Sequence, residues 1–241
     1  MRLLRSVWRF FARYLYGLEA IFLPNVCLVC GRQLLPSERC VCRLCLDGLP
    51  ATMFEDFNDN PLERRMMGRV ELRSGFSCFY FRRGEALREL VHDFKYHSNM
   101  ELAREMGREM GRRALRSGFL AGYDVLVPVP LHPRRLRQRG YNQSLLLAQG
   151  VSEVTGLKVL PDALTRTAFA GSQTKLGAIR RFINVKTDFA LGPDAPMLVG
   201  KSVLLIDDVF TTGATTESCV RALLAVEGVS AGVATLGFVQ H

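Results

Sequence analysis

The stretch 203-VLLIDDVFTTGATT-216 decides how this 241-residue chain is read. Val203, Leu204, Leu205 and Ile206 form an apolar run of the kind a strand buried on both faces requires. Asp207 and Asp208 follow at its carboxyl end, where an open parallel sheet gathers its ligands. Thr211, Thr212, Gly213, Ala214 and Thr215 then make a turn with little side-chain bulk. Small residues let backbone N–H groups approach an anion, and a helix starting there adds its positive dipole end. A phosphate cradle thus adjoins two carboxylates able to accept hydrogen bonds from vicinal hydroxyls. A sugar bearing a 5′-phosphate suits both halves. The turn has no P-loop lysine, and an N-capped helix beside incidental aspartates is the plainer alternative.

Working outward, the pattern alternates. Residues 231–239 and 124–130 have strand character, with weaker strands near 157–160 and 185–190. Helices are expected over 84–95, 100–116, 142–154 and 214–226, the second carrying Arg104, Arg108 and Arg112 four apart. Residues 70–81 read as a strand, and 51–65, polar and containing Pro61, as a linker or irregular connection. Such alternation predicts an α/β domain with a mostly parallel sheet and helices on both faces.

Five of the seven cysteines fall within 27-CLVCGRQLLPSERCVCRLC-45. Cys27 and Cys30 form one Cys-x-x-Cys knuckle, and Cys42 and Cys45 another. Two knuckles supply a closed tetrahedron for a structural zinc ion, Zn²⁺. Cys40 is the alternative to Cys42 in the second pair. With no secretory signal, the setting is read as cytoplasmic and reducing, which favours metal over disulfides. The domains are expected at 1–50, a helix plus a small zinc-ribbon-like module, and 51–241. Cys78 and Cys219 read as buried small hydrophobes.

The net charge is +9, from 32 Lys and Arg against 23 Asp and Glu, and only five of the basic residues are lysine. Guanidinium pairs bidentately with phosphate, so the excess suits phosphate-rich ligands or nucleic acid as well as an ordinary solvated surface. The densest run is 131-LHPRRLRQRGYNQS-144. No apolar run reaches the roughly 18–20 residues that cross a bilayer. Arg2, Arg5, Arg9 and Arg13 mark one face of an N-terminal amphipathic helix. Packing on the protein and peripheral contact with an anionic membrane are its two readings.

Taken together, 203-VLLIDDVFTTGATT-216 resembles the phosphoribosyl-pyrophosphate motif of type I phosphoribosyltransferases. From about Leu23 onward the chain resembles the ComF family, which sets a four-cysteine module before such a domain. Further marks are 128-PVPLHPRRLRQRGYNQS-144, Arg166, Gln173, Arg181, Asn184 and Phe189. The resemblance implies that Asp207 and Asp208 hold the ribose hydroxyls and Thr211 to Thr215 the 5′-phosphate. Val129, Pro130, Leu131 and His132 would line the pyrophosphate side. Residues 166–184 would close over the site, with Arg139 and Arg181 contacting phosphates. It implies Mg²⁺ with phosphoribosyl pyrophosphate or another ribose 5-phosphate compound, and pyrophosphate release to an acceptor. It equally implies an accessory protein of DNA uptake that binds single-stranded DNA and meets DNA-uptake proteins. Arg2, where a glutaminase half would start with cysteine, sets aside an amidotransferase.

Overall fold

The computed structural model describes residues 25–82, 84–166 and 188–240. The expected N-terminal amphipathic helix and the segment 167–187, with Gln173, Arg181 and Asn184, lie outside them. The chain divides into two compact units, the first ending at Gly48 and the second starting at Leu49.

In the first unit, an antiparallel bridge joins Val26 and Gln33. Gly31 takes φ +70 between them, a conformation a side chain resists. Helix α1, Arg43–Asp47, begins directly after Cys42 and buries Leu46.

The second unit is built on five parallel strands. In chain order they are β1 (Gly75–Tyr80), β2 (Val125–Pro128), β3 (Lys158–Val159), β6 (Ser202–Phe210) and β7 (Ser230–Phe238). Their spatial order is β1-β7-β6-β2-β3. The antiparallel pair β4 (Leu164–Arg166) and β5 (Phe189–Leu191) stands apart from this sheet.

Side chains alternate along a strand. Val203 and Leu205 join Val125, Val127 and Val233 in an apolar cluster with Cys219, Val220 and Leu223 of α7 (Ala214–Leu223). The alternate residues Leu126, Leu204 and Ile206 are also buried. Helices α4 (Met100–Arg116) and α6 (Gln143–Thr155) pack together and against the sheet. The parallel sheet with helices on both faces is therefore as expected. Their closeness depends on glycine: a Cβ on Gly107 would lie 2.2 Å from the Leu147 carbonyl oxygen, and one on Gly150 would lie 2.1 Å from that of Arg104.

The arginines of α4 are structural. Arg108 pairs with Glu101, Glu105 and Glu153, and Arg112 with Glu105 and Glu109.

Two expectations need correction. Residues 51–65 are not a linker: Ala51 bridges to Phe79, Phe54–Asp56 is a 3-10 turn, and Pro61–Met66 is helix α2. The Asn60 side chain caps α2 by accepting from the N–H groups of Leu62 and Glu63, and its amide donates to the Gly75 carbonyl at 2.7 Å. The strand expected over 70–81 is confined to Gly75–Tyr80, the stretch in register with β7. Among the described residues, no helix is long and apolar enough to cross a membrane.

Candidate functional site

Strand β6 reaches further than its apolar core. It pairs with β7 as far as Phe210 but with β2 only as far as Ile206. Asp207 and Asp208 therefore lie within the strand, just beyond its last pairing with β2. The chain leaving β2 is steadied there: the Val129 N–H donates to the Ile206 carbonyl at 2.9 Å, and the Asn142 amide donates to the Val129 carbonyl at 3.0 Å. Val129 is buried, whereas Pro130, Leu131 and His132 are partly open. His132 caps helix α5 (Pro133–Arg139), its Nδ1 accepting from the Arg134 N–H at 3.1 Å.

Both carboxylates are buried. Asp207 Oδ1 accepts from Ser144 Oγ and from the Asp208 N–H, each at 2.9 Å. Asp208 Oδ2 accepts from Gln143 Nε2 at 3.0 Å and faces the Lys95 ammonium at 2.7 Å. Lys95 is in the last turn of α3 (Ala86–Tyr96). Asp207 Oδ2 and Asp208 Oδ1 make no hydrogen bond among the described residues, so one oxygen of each carboxylate is left to accept from a ligand. Burial, then the neighbouring Asp208 charge, raises the Asp207 carboxyl from its ordinary 3.8 to about 7. The Asp208 N–H, the Ser144 hydroxyl and Lys95 oppose that rise.

The turn after β6 is held from one side. Arg65 Nη1 donates to the Thr211 carbonyl at 2.7 Å, and Arg69 Nη1 donates to that of Thr212 at 2.6 Å. Arg69 also pairs with Glu217. In a trans peptide the N–H points opposite to the carbonyl, so the Thr212 and Gly213 N–H groups are turned away from these guanidiniums. Gly213 has φ +81, and an added Cβ would meet Met66 Sδ and Phe210 Cζ at 2.9 Å each. Thr211, Thr212, Ala214 and Thr215 are exposed at the start of α7, where first-turn N–H groups have no intrahelical partner. The Ala214 N–H donates to Thr212 Oγ1 at 3.4 Å, which leaves the Thr212 and Gly213 N–H groups and the rest of the first turn as the donors an anion could meet.

The arginine run divides. Arg134, Arg135 and Arg137 are exposed, whereas Arg139 bonds the Gln143 side chain and lies over the Tyr96 ring at 5.5 Å. Arg166 lies over Phe189 across the β4–β5 pair. Arg181 falls outside the described residues.

Lys95, Gln143, Ser144, Arg65 and Arg69 were not singled out from sequence as site residues. Lys95, one of five lysines in an arginine-rich chain, and the polar Gln143-Ser144 pair at a helix start were the available signals.

In the first unit, the Sγ atoms of Cys27, Cys30, Cys42 and Cys45 lie within 4.8 Å of one another. Cys40 is not part of this cluster. The Cys30 and Cys42 sulfurs are 3.8 Å apart, too far for a disulfide and close to the ~3.8 Å edge of a tetrahedron with Zn–S bonds of ~2.3 Å. Burial opposes thiolate formation at Cys27, but N–H groups of Cys42, Cys30 and Val29 aimed at its sulfur bring the thiol down to about 6. The donor set fits zinc.

No family model matches the chain. It is 30% identical over 203 residues to the DNA utilization protein YhgH of Escherichia coli (strain K12), covering 83% of this chain and 84% of that protein. It is 25% identical over 235 residues to Competence protein ComFC of Bacillus subtilis (strain 168), covering 92% and 88%. A solved structure described as the allosteric regulatory enzyme of purine biosynthesis aligns at 22% identity with a TM-score of 0.36. That alignment covers 54% of this chain and 25% of the other.

Proposed function

The chain belongs to the ComF family of competence and DNA-utilization proteins, and on that footing we propose that it binds phosphoribosyl pyrophosphate at the end of β6. One observation carries the reading. Two buried carboxylates, each with an oxygen left to accept, precede a turn whose carbonyls are held by Arg65 and Arg69 and whose N–H groups face away from them.

In this reading, Asp207 Oδ2 and Asp208 Oδ1 accept from the ribose hydroxyls. The Thr211–Thr215 turn takes the 5′-phosphate. Val129, Pro130, Leu131 and His132 border the pyrophosphate, with Arg139 as its cationic neighbour. Transfer forms a bond from an acceptor nucleophile to C1 as the C1–O bond to pyrophosphate breaks, its electron pair leaving with the pyrophosphate. The carboxylates would favour the positive charge developing on the sugar. Lys95 against Asp208 does not suit direct coordination of Mg²⁺ by that oxygen. Mg²⁺ belongs instead to the ligand's own phosphate oxygens. Cys27, Cys30, Cys42 and Cys45 would hold a structural Zn²⁺ that stabilises a unit too small to bury a sizeable core.

Calorimetry of phosphoribosyl pyrophosphate with Mg²⁺ tests the site. Replacing Asp207 and Asp208 together by Asn should weaken binding by about 100-fold or more, at roughly 1.5–3 kcal/mol for each charge-assisted bond lost. Equal binding by wild type and the double variant defeats the assignment. Pyrophosphate release with candidate acceptors tests transfer.

A second reading rests on α5, which buries none of its residues and exposes Arg134, Arg135 and Arg137. Such a helix suits the backbone of single-stranded DNA, in keeping with the names of the relatives.

A further inference from the structure

The residue that most constrains the acid pair is Lys95. Its ammonium is 2.7 Å from Asp208 Oδ2, the same oxygen that accepts from Gln143, and the lysine side chain is largely withdrawn from solvent. The backbone delivering it is anchored on both sides. Phe94 is fully buried, and its carbonyl accepts from the Tyr141 hydroxyl. Tyr96 lies beneath the Arg139 guanidinium. The next turn is tied back, since Asp93 accepts from Asn99 Nδ2 at 2.8 Å and meets His97 Nδ1 at 2.9 Å. Lys95 also closes a helix, and the carboxyl end of a helix dipole favours a cation. The ammonium is thus held in place before any ligand arrives.

We infer that Lys95 is the resident cation of the acid pair, a positioning residue that bars a divalent metal from Asp208 Oδ2 and leaves the other carboxylate oxygens to the hydroxyls of the proposed ligand. The inference deepens the sugar-phosphate reading and rests on it for the identity of the hydroxyls. Its physical basis is charge. Gln143 and Ser144 are neutral donors, so Lys95 is the ion-pair partner of the carboxylates among the described residues. A divalent ion at Asp208 Oδ2 must expel the ammonium or remain within a few ångströms of it. Like charges repel strongly at such a distance when partly shielded from water. Hydroxyl groups meet no such barrier, because the two carboxylate oxygens left to accept are not those that Lys95 occupies.

The test uses the full chain with zinc bound and Mn²⁺ alone as the probe, free Mn²⁺ being read by electron paramagnetic resonance. Wild type and Asp208→Asn should bind Mn²⁺ alike, since the carboxylate is not a ligand while Lys95 is present. Lys95→Met, similar in length but uncharged, should gain Mn²⁺ affinity by about tenfold or more. Adding Asp208→Asn to it should abolish the gain, and Lys95→Arg should show none. Mn²⁺ binding by wild type that is lost in Asp208→Asn overturns the inference, as does a folded Lys95→Met variant with no gain. The comparison of wild type with Asp208→Asn decides the matter even if Lys95→Met does not fold. Ribose 5-phosphate titrated with and without Mg²⁺ separates the two levels. Equal affinity supports the inference, and a gain in affinity with Mg²⁺ that wild type shows and Asp208→Asn lacks counts against it. Failure to bind under either condition defeats the sugar-phosphate reading, while the Mn²⁺ result still judges Lys95.

Discussion

Asp207 makes the stability of the second unit depend on pH in a direction opposite to that of most carboxylates. Burial and the charge of Asp208 raise it from 3.8 to about 7. The folded protein therefore holds this proton more tightly than the unfolded chain. The resulting stability is fully present below the unfolded value and is lost as pH rises through the folded one. The whole interval is worth roughly 4 kcal/mol. In a window that spares zinc–thiolate bonds, the stability this group contributes at pH 6 exceeds that at pH 8 by about 1.4 kcal/mol. Asp207→Asn removes the titration, while its Oδ1 can still accept from Ser144 and from the Asp208 N–H. Urea unfolding of both proteins, with zinc saturating, should give stability curves that converge towards pH 6 and separate by pH 8. There the variant gains on wild type by that amount. Taking the difference between the proteins cancels other titrating groups, including the zinc ligands. Parallel curves from pH 6 to 8 would refute the reasoning, and a difference of opposite sign would mean that Lys95 and the hydrogen bonds outweigh burial.

Three further outcomes are expected. Metal analysis should find one zinc per chain, lost in Cys42→Ser and retained in Cys40→Ser; purified protein without zinc defeats the assignment. Single-stranded DNA should bind with an affinity that falls steeply as salt rises, and replacing Arg134, Arg135 and Arg137 together by Gln should flatten that dependence. Binding undetectable at low salt removes the second reading. Gly107→Ala and Gly150→Ala should each destabilise the protein by about 1–3 kcal/mol despite alanine's better helix propensity, because the new Cβ meets a carbonyl of the facing helix. Thermal or urea unfolding that leaves either variant as stable as wild type would remove that close approach.

What the sequence made legible was what repeats locally. The apolar runs at 203–206 and 125–127 named buried strands, and helix α4 falls at Met100–Arg116 as its periodicity predicts. The four cysteines were legible because metal geometry imposes spacing. Residues 51–65 were hidden by polar composition, although Asn60 and Pro61 followed by Glu63 carry a helix-start signature that the structure uses in full. Glu63 even accepts from the Gly75 N–H at 2.8 Å, tying that helix to the start of β1. Residues 70–72 alternate like a strand, but alternation cannot reveal where pairing with β7 begins. The partners of the acid pair were illegible for the same reason. Lys95, Gln143 and Asp208 belong to three separate elements, and no local period links them.

The arginine-rich segment joins the two functional readings. Arg139 turns inward to Gln143, whose amide donates to the same Asp208 oxygen that Lys95 faces, and it also covers Tyr96, the residue after Lys95. Arg134, Arg135 and Arg137 of the same helix are open to solvent. A run that reads as uniform basic charge therefore contains one residue that orients the acid pair's amide donor and three free to meet a polyanion. The split explains why net charge alone cannot assign the segment. Charge on the outer three adds to a long-range field that salt screens. Arg139 acts through hydrogen-bond geometry that screening touches far less. Salt is thus the variable that separates them: raising it should release a polymer from α5 while the Arg139–Gln143–Asp208 chain, and with it the arrangement of the acid pair, remains in place.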